Sequence, residues 1–424
     1  MTIASGFLFA VIGLSAAFLF ASGNALTGLL LIVAATGATF ALAGLSPRDA
    51  ARFTTAARLP VMAGGALAAF CLLQSLPQPL LAHPVWLSVS SALDPAAAMG
   101  SITIDAGATL LGALQIAGLL AVFCLSAAVA TERWRARALL RGLVALAGLI
   151  AAVALTARFF PGLGMSALAG TQARACLPSA AVIATAGLVD VVILRRSEGQ
   201  LRREARHRAL IRLAAPLCAV VLSLVLIAGL SSRGAPFLLM LLAGAPLLIA
   251  PLVARAFNLG VPGFLAMIVT AVVAGVALAR PGGFETAGTF RSATDTVQQM
   301  IHDAPWLGTG LGTFDSIAML YSLPGDQSDA LGYASLAVRL AVELGMPVSL
   351  ALLACALAAA VRLAWGALQR GRDQVFAAAG AGVVVTLVLE AVAAPAVPGL
   401  FPALLVALVG GLGFAQASTR SRVE

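Results

Sequence analysis

The sequence predicts an all-α polytopic membrane protein, and three observations carry that prediction. The chain is 61% hydrophobic and only 10% charged, with a mean hydropathy of +1.02. Its apolar runs reach about 20 residues, which at roughly 1.5 Å per residue cross about 30 Å of hydrocarbon. Arginines gather in alternate loops between those runs, the asymmetry that orients helical membrane proteins. A soluble globular domain is excluded by this composition.

About twelve spans are expected, at 4–22, 26–45, 59–76, 107–130, 140–157, 175–194, 213–230, 235–254, 260–279, 334–361, 375–393 and 400–416. The chain then divides into an N-terminal transmembrane bundle of about nine helices over 1–279, a large loop with short helices over 280–333, and C-terminal transmembrane helices with a short tail over 334–424. The apolar run after Met1 is long and meets no cleavage site, so no removable signal peptide is expected.

Orientation follows from the arginines, which supply every one of the 26 basic residues. One alternate set of loops holds Arg48, Arg52 and Arg58, Arg133 to Arg141, Arg195 to Arg212, Arg255, Arg362, Arg370, Arg372, Arg420 and Arg422. The opposite set holds only Arg158, Arg174, Arg233, Arg280 and Arg291. That asymmetry places both termini in the cytoplasm and the Arg280–Gly332 loop outside. The net charge of +9 is therefore spread through loops, and no nucleic-acid partner is expected. The five cysteines lie in or beside apolar runs without metal-ligand spacing and read as packing residues.

The long polar passage from Arg280 to Met346 is where chemistry concentrates. Phe290, Ala293, Val297, Met300, Ile301 and Ala304 recur at helical spacing, and Pro305 ends that helix. Gly308, Gly310 and Gly312 follow as a loop turn. No strand precedes these glycines and their spacing is wrong for a nucleotide site, so a packing turn is the expected reading. Arg233 directly follows an apolar run, and Arg291 follows another after a Gly-rich link. Two guanidinium forks converging at the membrane surface suit a diphosphate, whereas taken singly each reads equally as a helix cap or a headgroup contact.

Other ionisable groups have bland first readings. Arg339 and Glu343 stand four apart on one helical face and neutralise each other. Asp190 pairs within the arginine-rich end of its span, and Glu390 reads first as a structural partner of an outer arginine and second as a catalytic base. His302 and Asp303 are adjacent on the long loop. With three histidines in all, a histidine-rich metal site is not expected.

Taken together, Ser232-Arg233-Gly234, Arg291, Pro305 to Phe314, Tyr321 and Glu343-Leu344-Gly345 form a set that resembles the O-antigen ligase/polymerase family. The resemblance in span count and loop order covers most of the chain, and the sharp motifs cover about Arg280 to Pro347. It implies a glycosyltransferase-C-like fold in a bacterial inner membrane, with the large loop periplasmic. The implied activity is transfer or polymerisation of glycan from an undecaprenyl-diphosphate-linked donor to a glycan or lipid acceptor, with membrane lipids and other polysaccharide-assembly proteins as further partners. Arg233 and Arg291 would stabilise the departing diphosphate, so the chemistry calls for no metal or other cofactor.

Two stretches depart from the family pattern. Where the resemblance leads one to expect His-Asn-x-x-Leu before Glu-Leu-Gly, this chain reads Tyr333-Ala334-Ser335-Leu336-Ala337-Val338. A second polar motif is replaced by Thr171 to Pro178. Without the histidine, deprotonation of the acceptor falls to His302, Asp303 or Glu343, and the missing ligase histidine makes the chain more polymerase-like. Two alternatives stand beside the enzyme: a degenerate relative that binds lipid-linked glycan or scaffolds the assembly machinery, and a transporter or flippase of lipid-linked sugars.

Overall fold

A computed structural model describes residues 2–21, 24–78, 80–86, 100–160, 167–198, 205–233, 237, 241, 244–245, 299–302, 306–321, 334–369, 373–393 and 399–418. Its elements are helical, and an isolated antiparallel bridge joins Pro77 to Ser101. The helices are α1 (Thr2–Phe20), α2 (Asn24–Ala43), α3 (Pro47–Ser75), α4 (Ala106–Val129), α5 (Arg133–Phe159) and α6 (Ala167–Glu198). They continue as α7 (Ala205–Arg233), α8 (Phe314–Tyr321), α9 (Leu336–Leu344), α10 (Met346–Leu368), α11 (Gln374–Ala393) and α12 (Phe401–Ser418).

Nine of the described helices are long and apolar enough to cross a membrane, and α12 adds a shorter apolar helix over Phe401–Ala417. The chain is a multi-pass helical membrane protein. Of the twelve expected spans, 260–279 lies outside the described residues and 235–254 almost entirely so.

The expected span 334–361 is corrected: α9 and α10 are separate helices, broken at Gly345. Gly345 has φ +82°, which a right-handed helix cannot accommodate, and Pro347 in the first turn of α10 favours a helix start there. Arg339 and Glu343 therefore lie on a short helix ahead of the span.

Helix starts follow local chemistry. Ser46 caps α3, accepting the Asp49 N–H at 3.2 Å, with Pro47 in the first turn. Asp105 caps α4 by accepting the Ala108 N–H at 3.0 Å. Each cap satisfies donors that a helix leaves without intrahelical partners.

The centre of the bundle is α12, packed against α4 and α11. Hydrocarbon does not squeeze helices together as water does, so close approach relies on small residues and interhelical hydrogen bonds. Ser126 of α4 donates its hydroxyl to the Leu408 carbonyl at 2.6 Å, and a side chain at Gly411 would strike the Phe123 carbonyl. The core around this contact is rich in alanine, with Phe18, Phe237, Phe376 and Phe401 as its largest members. Large apolar side chains such as Ile32, Met62, Leu217 and Val361 stand exposed on the outer faces, as lipid contact requires.

Polar contacts mark one end of the bundle as the arginine-rich end. Arg133 at the start of α5 pairs with Asp373 ahead of α11 at 2.8 Å, and Arg137 pairs with Asp190 of α6 at 3.5 Å. Arg362 of α10 donates to the Thr55 carbonyl of α3 at 2.8 Å. The opposite end holds the end of α3, the start of α4, and the start of α10.

Candidate functional site

At that opposite end, residues 306–314 fold into a platform built from three distant stretches. Gln74, in the last turn of α3, is fully buried and donates its side-chain amide to the Leu307 carbonyl at 2.6 Å and the Glu343 carbonyl at 3.3 Å. Its own carbonyl accepts the Thr103 N–H at 3.1 Å. Ile104 donates to the Thr309 carbonyl at 3.0 Å, so the 100–105 segment runs beside the glycine loop. From the other side, Thr309 donates to Val342 O at 3.1 Å and Gly310 to Glu343 O at 2.9 Å.

The glycines make this crossing possible. Gly308, Gly310 and Gly312 have φ of 72°, 106° and 85°, all in the region that disfavours side chains. Close approach matters as much as torsion. A Cβ at Gly308 would fall on the Glu343 carbonyl, and one at Gly310 on the Thr103 hydroxyl. Two threonine pairs fill the remaining space, Thr103 with Thr109 at 2.7 Å and Thr309 with Thr313 at 2.9 Å.

Glu343 clasps the loop from α9. Its Oε1 accepts the Phe314 N–H at 3.1 Å, and the Gly312 N–H also bonds to the carboxylate. Burial pushes its carboxyl above the usual range, while those N–H groups and the Arg339 guanidinium pull it back. The expected mutual neutralisation of Arg339 and Glu343 is thus not the main pairing. Arg339 instead binds Asp315 at 2.9 Å and lies over the Phe314 ring, 4.7 Å from its centroid.

The N–H groups of Thr309, Gly310, Gly312, Thr313 and Phe314 are all spent within the protein. A phosphate cradle needs such groups pointing at a ligand, so these five N–H groups serve to hold the loop in place. Its neighbours form a small separate core of Met300, Phe314, Ile317, Ala318, Ala334 and Val342. That core joins Met300 and residues 314–318 to Ala334 and Val342. Ala334, in the stretch where the family resemblance leads one to expect histidine, is buried in it.

His302 is exposed within the helical residues 299–302, and Met300 of the same stretch enters the small core. Arg233 is the last residue of α7. Arg291 and Asp303, expected at the site, lie outside the described residues.

Sequence reasoning missed Gln74, the threonine pairs and the Asp315–Arg339 pair. Gln74 carried a usable signal: an uncharged polar side chain at the end of an apolar run needs a partner when buried. No such signal separates Asp315 from any other loop acid. Trp306 is 83% exposed, and its backbone carbonyl lies close to Gly345 at the start of α10. Among the described residues no cluster of histidine, cysteine and carboxylate side chains is arranged to hold a metal. Compared with known proteins, the chain matches no family model and no curated sequence.

Proposed function

We propose that the protein is a membrane glycosyltransferase of bacterial surface-polysaccharide assembly. It takes glycan from an undecaprenyl-diphosphate donor on the non-cytoplasmic face and passes it to a glycan or lipid acceptor. The observation that carries the reading is the rigid glycine platform at the bundle end opposite the arginine-rich end, beside the mouth of α10. A lipid-anchored donor presents its headgroup at such a level, and a platform that spends its own N–H groups leaves charge stabilisation to side chains. In this reading Arg233 and Arg291 hold the diphosphate, and the positive-inside asymmetry puts the platform in the periplasm and both termini in the cytoplasm.

The reaction needs no nucleotide sugar. The acceptor hydroxyl attacks the anomeric carbon, and the lipid diphosphate leaves as guanidinium groups neutralise its developing charge. Purified protein in lipid nanodiscs, given an undecaprenyl-diphosphate-linked repeat unit, is expected to make longer glycans. Arg233→Ala and Arg291→Ala should each lower turnover about 10²-fold or more, as loss of a transition-state charge partner does. Neither binding nor product with the wild-type protein would overturn the reading.

A second reading is favoured by one observation. Ala334 is packed in the small core and Glu343 is engaged by backbone, which removes two of the places a proton acceptor could stand. A non-catalytic relative would bind the lipid-linked glycan through the arginines and yield no product.

A further inference from the structure

Glycosyl transfer to a hydroxyl requires a group that takes the hydroxyl's proton, and such a group must be reachable and held in one orientation. Among the described carboxylates most are committed elsewhere. Glu343 is buried and accepts two N–H groups of the loop. Asp105 caps α4, and Asp190 and Asp373 pair with arginines at the other end of the bundle.

Asp315 differs. It stands in the first turn of α8, one residue beyond the platform, with its side chain 63% exposed. Its Oδ1 meets Arg339 Nη1 at 2.9 Å. Arg339 is itself restrained: its guanidinium lies 4.7 Å from the centroid of Phe314, a ring that is 1% exposed. Phe314 is in turn fixed by the bond from its N–H to Glu343, and α9 is capped by Ser335. The chain of contacts therefore runs from a buried clasp, through a buried ring and a restrained cation, to one open carboxylate.

We propose that Asp315 is the catalytic base of the transfer and Arg339 its positioning residue. The assignment rests on the proposed function for the reaction itself. The acceptor hydroxyl gives its proton to an Asp315 carboxylate oxygen, and its oxygen bonds to the anomeric carbon. The bond from that carbon to the phosphate oxygen breaks, and its electron pair leaves with the lipid diphosphate. The exposed side of Asp315 faces acceptor arriving from water, while Arg339 holds the carboxylate from the protein side.

The test uses the full chain in nanodiscs with the undecaprenyl-diphosphate-linked repeat unit, following turnover and donor binding separately. Asp315→Asn is isosteric and is expected to lower kcat by about 10²- to 10⁴-fold while donor affinity stays within about twofold. Asp315→Glu should restore part of that loss. Arg339→Gln should lower kcat by about tenfold or more, with part recovered in Arg339→Lys, a rescue that a purely packing role would not give. Wild-type turnover with undiminished Asp315→Asn would overturn the assignment and leave the glycosyltransferase standing, with His302→Ala then expected to show the loss. Loss of donor affinity in Asp315→Asn in place of kcat would also overturn it. Absence of product from wild type would overturn the proposed function and this assignment together.

Discussion

Replacing Glu343 by alanine should release the glycine platform from the bundle without unfolding the spans. The substitution strips the acceptor from two backbone N–H groups, those of Phe314 and Gly312. The Phe314 donor is buried and costs about 1–3 kcal/mol when left unpaired, whereas Gly312 is exposed and its N–H can turn to water. At about 1.4 kcal/mol per tenfold, that raises the open population of the loop by roughly 5-fold to 10²-fold. Hydrogen exchange in nanodiscs reads this directly: amides over 306–321 should exchange faster by that factor, while α4 and α12 stay protected. Glu343→Gln keeps an acceptor oxygen and should cost about 1–2 kcal/mol at most. Unchanged exchange over 306–321 in Glu343→Ala would refute the clasp.

The same carboxyl gives the platform a pH dependence whose sign is fixed by burial. Its folded value is raised above the ordinary 4.5, so the folded state holds the proton more tightly than the unfolded one. Loop stability is then fullest below that ordinary value and declines as pH rises through the raised folded value. Glu343→Gln should flatten this decline once intrinsic exchange rates are corrected for pH.

Gln74→Leu should loosen the same loop from the α3 side, because the Leu307 and Glu343 carbonyls lose their donor. About 1–3 kcal/mol of local stability should go, seen as faster cleavage within 306–314 by added protease and unchanged helicity. Gly411→Val should act elsewhere, forcing α12 off α4 because its Cβ would meet the Phe123 carbonyl and Ser126. Overpacking of this kind costs about 1–3 kcal/mol, and a lowered thermal midpoint in detergent with retained hydrogen-exchange contrast at 306–321 would check it.

Most of the frame was readable along the chain. A span declares itself by length and hydropathy alone, because a helix crossing hydrocarbon must be predominantly apolar whichever helix it meets. The limits of that logic show at Gly345. Hydropathy averages smoothly across Leu336 to Leu368, so one span was expected, whereas the positive φ of Gly345 divides it and keeps Glu343 out of the crossing helix. Similarly, spacing by four paired Arg339 with Glu343, since both lie on one helical face. The fold turned each to a partner on the loop that packs against α9, Asp315 for the arginine and two N–H groups for the glutamate.

What the sequence by itself determined is the class of molecule, its arginine-rich end and the stretch where polar chemistry gathers, all properties summed over many residues. What only the tertiary structure decided is how Gln74, Thr103, the glycine loop and Glu343 meet, across separations as large as 269 positions. Local patterns report what a residue can do within about one helical turn of itself. A hydrogen bond between the ends of two helices depends on the crossing of the whole bundle, so no local period records it.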